Sequence, residues 1–150
     1  MSAEADPLVT ELTQLVSRVA GRLRAQFNAT AAELDLPPAQ AQALANLRGP
    51  VPMRELADEL SCEASNVTGI VDGLERRGLV VRRPDPSDRR VKRLVLTEEG
   101  ARRRDLLCSR GHAQATSLFA LSGDDRLLLR DVLRRLLADP GPDTGTGTGT

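Results

Sequence analysis

Two groups of residues in the middle of this 150-residue chain have side chains that suit recognition chemistry. The first group lies at helical spacing and consists of Ser65, Asn66, Thr68, Gly69, Asp72 and Arg76. The second group surrounds a turn-rich segment and consists of Arg82, Arg83, Arg89, Arg90, Lys92 and Arg93. Hydroxyl, amide and guanidinium groups make the hydrogen bonds that read base edges and hold phosphates. Together these residues indicate contact with a nucleic acid.

The first group is positioned by the second of two short amphipathic helices. In the first helix, apolar residues recur every three or four positions, at Met53, Leu56, Ala57 and Leu60. Turn and cap residues 61–65 separate it from the second helix. The second helix has a predicted buried stripe of Val67, Ile70, Val71 and Leu74. The first group, together with Gly73, is then left on the outward face, so the pattern predicts a helix-turn-helix.

The second group is positioned by a predicted two-stranded hairpin. Gly78 follows the second helix at the position where a left-handed backbone costs least. One strand begins at residues 79–81, the other spans residues 91–96, and the turn formers of residues 84–88 join them. An arginine at the tip of such a ribbon can enter a narrow, electronegative minor groove. We expect Asp88 to hold a neighbouring guanidinium in position.

These residues carry a family resemblance. The run from residue 56 to residue 100 resembles the multiple-antibiotic-resistance regulator (MarR) family of bacterial transcription factors. Its most specific motifs are Asp88-Arg89-Arg90 followed by Leu96-Thr97 and Gly100, and Leu74-Glu75-x-x-Gly78-Leu79-Val80. The resemblance implies a homodimer in which residues 65–76 lie in the major groove and Arg89 or Arg90 probes the minor groove. Gly69 and Gly73 depart from the pattern, because the family often has a basic or larger residue at both positions.

The charge distribution supports a polyanionic partner. The whole chain balances 21 basic against 21 acidic residues. Residues 76–104, however, contain 11 basic and 4 acidic residues, a net charge of +7, so the remainder carries −7. Such asymmetry is typical of a nucleic-acid site on an otherwise acidic protein.

The flanking segments predict further helices. Asp6-Pro7 begins a long helix whose apolar stripe runs from Leu8 to Phe27, and a short helix covers residues 39–47. Thr97 caps a helix that extends to about Leu121, and Ser122 caps a last helix. The long first helix is too extended to bury its stripe against a small winged domain alone, so we expect part of it to meet another subunit.

The sequence therefore predicts a mainly α fold with a small β-hairpin wing. It consists of an N-terminal dimerisation helix (residues 1–36), a winged helix-turn-helix DNA-binding lobe (37–97) and C-terminal dimerisation helices (98–138). Residues 139–150, a Pro-Gly and Thr-Gly tract, have too little apolar surface to offset the entropy of ordering, and we expect a disordered tail.

Catalysis and metal binding have little support in the sequence. Cys62, Cys108 and His112 do not have the spacing of a zinc site, and no glycine-rich phosphate loop is present. We expect no catalytic residues, no metal and no cofactor. Cys62 precedes the second helix of the pair, where its oxidation would disturb DNA binding, although a small apolar plug is the more common role at that position.

The function expected from these observations is a homodimeric transcriptional regulator of double-stranded DNA. Twofold symmetry predicts a pseudo-palindromic operator. Family resemblance implies a repressor that is released by a small-molecule effector of unknown identity. The absence of a long apolar run or signal peptide leads us to expect a cytoplasmic protein without a membrane partner. Two alternatives are a redox-responsive regulator that switches through Cys62 and a nonspecific DNA-binding protein.

Overall fold

The computed structural model describes residues 6–60 and 64–138, with only the backbone described for Ala64 and Ser65. The helices are α1 (Pro7–Glu33), α2 (Pro38–Asn46), α3 (Met53–Glu59), α4 (Ala64–Arg76), α5 (Glu98–Leu118) and α6 (Gly123–Leu137). The strands are β1 (Val51–Pro52), β2 (Val80–Pro84) and β3 (Lys92–Leu96). This mainly helical fold with a small sheet confirms the predicted fold class.

The wing is part of a three-stranded antiparallel sheet with the strand order β1-β3-β2. Strands β2 and β3 form the predicted hairpin, in which Val80 pairs with Leu96 and Arg82 with Leu94. Strand β1 pairs with the other side of β3 and was absent from the sequence prediction. Its two residues are too few for an alternating pattern, and Pro52 lacks a backbone N–H, which restricts proline to the edge of a sheet.

A contiguous hydrophobic core lies beneath the helix-turn-helix and the sheet. Its largest fully buried side chains are leucines and valines contributed by different elements: Leu44, Leu47, Leu56, Leu74, Leu94, Leu107, Val67, Val71 and Val80. Burying a side chain of this size contributes roughly 1.5–3 kcal/mol. The core therefore holds α2, α3 and α4 against the sheet and presents α4 on a fixed support.

The predicted helix starts are confirmed by their capping bonds. The Asp6 carboxylate accepts a hydrogen bond from the N–H of Leu8 at 2.9 Å, and the Ser122 hydroxyl accepts one from Asp125 at 3.1 Å. The predicted end of α5 is wrong by three residues, because the helix ends at Leu118 rather than near Leu121. Such ends fray, and a periodic pattern locates them less well than caps do.

Contacts divide the chain into two units, with the boundary between Ala115 and Thr116. The first unit contains α1 to α4, the sheet and most of α5, and the second contains α6. The predicted domain boundaries after residues 36 and 97 stay predictions. The predicted tail, residues 139–150, and Cys62 lie outside the described residues.

One junction connects α4, the sheet and α5. Gly78 ends the turn after α4 with φ +70°, a conformation that favours glycine. The Thr97 hydroxyl donates to the Gly78 carbonyl oxygen at 2.6 Å and accepts from the N–H of Gly100 at 3.0 Å. Gly100 lies so close to the sheet that a Cβ there would be 1.9 Å from the carbonyl oxygen of Leu79. The first turn of α5 therefore packs directly on the start of β2.

Replacing Gly100 by alanine is expected to destabilise the protein. The added Cβ forces α5 away from the Leu79 carbonyl, a strain that costs roughly 1–3 kcal/mol. Gly111→Ala is the matched control on the same helix, because a Cβ at Gly111 meets nothing within 4 Å. The control should gain roughly 0.5–1 kcal/mol from helix propensity. Urea unfolding at one protein concentration measures both, and a Gly100→Ala variant as stable as the wild type would contradict the close approach.

Candidate nucleic-acid interface

Helix α4 turns its apolar stripe inward and leaves a polar face exposed. Val67, Val71 and Leu74 are buried, and Ile70 is partly buried against the core. The exposed residues of the opposite face are Asn66, Thr68, Gly69 and Arg76. Ser65 lies in the first turn of α4, where only the backbone is described. The predicted exposure of these four residues is observed, and their contact with DNA stays a prediction.

The two glycines of α4 have different roles. The sequence interpretation placed Gly73 on the outward face, and this is wrong because Gly73 is buried. A Cβ at Gly73 would lie 2.1 Å from Nε2 of Gln40 on α2, so this glycine allows α2 and α4 to pack closely. Gly69, in contrast, has open space around it. Of these two glycines, only Gly69 lies on the exposed face, where it provides no side chain for a contact.

The wing is tied to α4 by an ion-pair cluster. Arg82 of β2 donates from Nη2 to Asp72 Oδ1 at 2.6 Å and from Nη1 to Glu75 Oε2 at 3.0 Å. The pKa of Arg82 is raised, first by the hydrogen bond to Asp72. Asp72, predicted from the sequence as a DNA-binding residue, thus has one carboxylate oxygen engaged within the protein.

Asp85 organises the turn at the tip of the wing. Its carboxylate accepts hydrogen bonds from the hydroxyl and the N–H of Ser87 at 2.6 and 2.8 Å, and from the N–H of Asp88 at 3.3 Å. Its other oxygen lies 2.5 Å from Arg93 Nε, an ion pair whose N–H is not aligned as a hydrogen bond. The Ser87 hydroxyl is the largest of the influences that lower the pKa of Asp85 to about 2.

The prediction that the Asp88 carboxylate holds a neighbouring guanidinium is wrong. Its Oδ1 accepts a hydrogen bond from the backbone N–H of Arg90 at 3.0 Å, and Asp85 is the wing carboxylate that faces a guanidinium. Both aspartates lie in the same turn-forming segment, so the sequence pattern did not separate them. Asp88 therefore shapes the backbone that presents Arg90.

Much of the positive charge counted in the sequence is compensated locally. Hydrogen bonds from Arg102 and then Arg103 lower the pKa of Glu99 to about 2. Arg77 Nη1 lies 3.7 Å from the carboxylate of Asp35. Among the described residues, no ion pair engages the exposed side chains of Arg89, Arg90 and Lys92. Arg76 and Arg83 are likewise exposed and outside the ion pairs of the described residues, so four of the five unpaired cations within residues 76–104 lie on the hairpin.

Other kinds of site find little support in the described part of the chain. Residues 6–60 and 64–138 contain no group of three or more side chains able to hold a metal ion. No helix within these ranges is long and apolar enough to cross a membrane. Cys108 is an exposed free thiol on α5.

The fold and this surface define a winged helix-turn-helix protein with an exposed recognition helix, α4, and a basic wing. The MarR family model matches residues 36–92, which span α2 to the start of β3. The chain belongs to the MarR family of transcriptional regulators.

Relatives match the chain over most of its length. The transcriptional repressor NicR of Pseudomonas putida is 32% identical over 134 residues, which cover 86% of this chain and 84% of NicR. The solved structure of CouR from Rhodococcus jostii RHA1, bound to p-coumaroyl-CoA, has 33% identity and a TM-score of 0.74, covering 88% and 95% of the two chains. A MarR-family regulator from Rhodococcus sp. RHA1 has 31% identity and a TM-score of 0.71, covering 88% and 96%.

These comparisons confirm the broad interpretation of the sequence. The relatives are transcriptional regulators and repressors, a class of DNA-binding protein that is not enzymatic. This chain is accordingly a DNA-binding transcriptional regulator of the MarR family and not an enzyme.

The lowered pKa of Asp85 predicts acid sensitivity of the wing. A carboxyl whose pKa falls from 3.8 to about 2 on folding stabilises the fold fully above about pH 4, and this contribution is lost as the pH falls towards 2. Wild type should therefore unfold at a higher temperature than Asp85→Asn near neutral pH, and the difference should shrink below about pH 4. Ser87→Ala removes the hydroxyl that lowers the pKa of Asp85 most, and it should show a smaller effect of the same sign. Thermal unfolding across this pH range measures it, and a difference independent of pH would refute the assignment.

Proposed function

We propose that this chain is a homodimeric, sequence-specific repressor that a small-molecule effector releases from DNA. In this proposal α4 lies in the major groove of a pseudo-palindromic operator, and the wing enters the adjacent minor groove. The residues proposed to contact DNA are Ser65, Asn66, Thr68, Gly69, Arg76, Arg89, Arg90 and Lys92. Asp72 and Asp88 are proposed to position them.

The observation that carries this proposal is the pairing of an exposed polar helix face with exposed cations on the neighbouring hairpin. Asn66 presents an amide, the group that makes two hydrogen bonds to adenine in the major groove. Arg89 and Arg90 lie at the wing tip without an ion pair among the described residues, as expected for side chains that meet phosphate or a narrow minor groove. In this proposal α4 reads the bases, and the wing binds the phosphates or the minor groove.

The proposal of a homodimer rests on uncovered apolar residues of α1. Its first four turns expose large side chains, with 59% of Leu8, 51% of Leu12 and 41% of Val19 accessible. Soluble monomers rarely expose an apolar stripe of this length, and such surfaces are typical of subunit interfaces. A twofold dimer places two recognition helices about one helical turn of DNA apart, which is the spacing of a pseudo-palindrome.

The proposal of an effector is supported by an open cavity of about 560 Å³ between α1 and α2. Its lining combines one cation, one aromatic ring and several amides: Arg24, Phe27, Asn28, Gln42 and Asn46. CouR was solved bound to p-coumaroyl-CoA, which is both aromatic and anionic. We therefore propose an anionic effector with an apolar part, and a panel of acyl-CoA thioesters is the first screen. The effector must bind the DNA-free arrangement of the two recognition helices more tightly, since equal affinity shifts nothing.

Two substitutions should affect DNA binding in different ways. Asn66→Ala is expected to cost roughly 1–3 kcal/mol on the operator and little on scrambled DNA, because it removes a base contact. Arg90→Ala should weaken binding to both and reduce the salt slope by about 1, because it removes a phosphate or minor-groove contact. Fluorescence anisotropy with both DNAs over a salt series measures the two effects.

Arg126→Ala is the control, since it removes an exposed arginine that is not among the residues proposed to contact DNA. It should leave both affinities unchanged. Equal losses on both DNAs from Asn66→Ala would remove Asn66 from the base-reading set. If wild type also binds both DNAs equally, a nonspecific DNA-binding protein, which the bare surface at Gly69 favours, becomes the better account.

The α1 stripe should control assembly. Leu12→Glu combined with Val16→Glu introduces charges into the proposed apolar interface and should convert a dimer into a monomer in sedimentation experiments. Gln14→Glu is the control for an added charge, because it places one glutamate on the opposite side of α1. A double variant that remains dimeric, or a wild type that sediments as a monomer, would show that α1 does not form the interface.

A further inference from the structure

Arg82 connects the two elements of the proposed interface. It lies on β2, and its two terminal nitrogens bind different carboxylates of α4, Asp72 at 2.6 Å and Glu75 at 3.0 Å. Asp72 and Glu75 are three residues apart, so they lie on the same flank of the helix. The planar guanidinium is thus fixed by two hydrogen-bonded contacts, which restricts its orientation more than one contact would.

The register of the sheet directs Arg82 towards the helix. Arg82 is opposite Leu94 in the β2–β3 pair, and Leu94 is fully buried. Residues directly opposite each other in an antiparallel pair point to the same face of the sheet. Arg82 therefore extends from the face that covers the core, and only 27% of its side chain is accessible. An arginine used for DNA would be expected on the exposed face or at the tip.

The connection between α4 and β2 is short and turns at Gly78, a residue with φ +70°. A backbone hydrogen bond of this turn, from the N–H of Leu79 to the Leu74 carbonyl at 3.0 Å, fixes the start of β2 against the end of α4. Arg82 adds a second attachment between β2 and α4, made by side chains and further along the wing.

We propose that Arg82 is a positioning residue for DNA binding, which holds the wing at the angle where α4 and Arg90 engage one DNA molecule together. The proposal rests on the proposed function, because it needs both elements to contact DNA. It gives Asp72 and Glu75 a role as anchors of the wing. Loss of Arg82 should then uncouple the contribution of the wing from that of the helix.

A double-mutant cycle between Arg82 and Arg90 tests this role. Binding to the promoter fragment that flanks the gene is measured for wild type, Arg82→Gln, Arg90→Ala and the double variant. Arg90→Ala should weaken binding of the wild type by roughly tenfold, and should cost less than about twofold once Arg82 is glutamine. Arg82→Lys keeps the charge but has a single ammonium, so it should resemble Arg82→Gln.

A second variant separates positioning from charge, because the two explanations predict opposite changes in its DNA affinity. Replacing both anchors, Asp72→Asn with Glu75→Gln, removes two negative charges near DNA and should tighten binding if only charge matters. If positioning matters, this variant should weaken binding and should also reduce the cost of Arg90→Ala. Circular dichroism of each variant verifies that the overall helix content is unchanged.

The outcomes separate the two proposals. A wild type that binds no DNA overturns the proposed function. A wild type that binds the promoter, and loses the same factor from Arg90→Ala with or without Arg82, overturns the positioning role and leaves the proposed function standing. Full rescue by Arg82→Lys, or tighter binding by the double anchor variant, also overturns the positioning role in favour of charge.

Discussion

The arrangement of the DNA-binding region depends on the close approach of α5 to the start of β2. The Leu79 carbonyl accepts the N–H of Thr97 at 3.1 Å and leaves no room for a side chain at Gly100. The Thr97 hydroxyl simultaneously caps α5 and holds the Gly78 carbonyl. The end of α4, both ends of the wing and the start of α5 all meet at this junction. The hydrogen bonds and the close contact made there therefore determine the orientation of all three elements.

Electrostatic interactions then divide the charged residues into two classes. One class forms ion pairs within the protein: Asp72 and Glu75 bind Arg82, Asp85 pairs with Arg93, and Glu99 binds Arg103. The pairs of Arg82 and Arg93 stabilise the wing. Within residues 76–104, the exposed cations without an ion pair among the described residues are Arg76, Arg83, Arg89, Arg90 and Lys92, and four of these five lie on the hairpin. An arginine-rich sequence can thus serve both folding and recognition, because the position of the carboxylates decides which arginines are available for DNA.

Local patterns were sufficient for most of the fold and for the exposed face of the site. The caps at Asp6 and Ser122, the apolar stripe of α4 and the glycine turn at Gly78 each depend on residues close in sequence, and each was predicted. Strand β1, the burial of Gly73 against Gln40 and the choice of Asp85 as partner of Arg93 were missed. These features depend on contacts between elements, for which a single sequence contains no periodic signal. The DNA contacts themselves stay predictions for the same reason.

The central claim is that this surface recognises a particular DNA sequence. The most direct test measures the affinity of the protein for the promoter DNA flanking its own gene and for scrambled DNA, by fluorescence anisotropy across a salt series. We predict much tighter binding to the promoter, with a steep loss of affinity as salt increases, because phosphate contacts release counterions and base contacts add specificity. Equal and weak binding to both DNAs would contradict the claim.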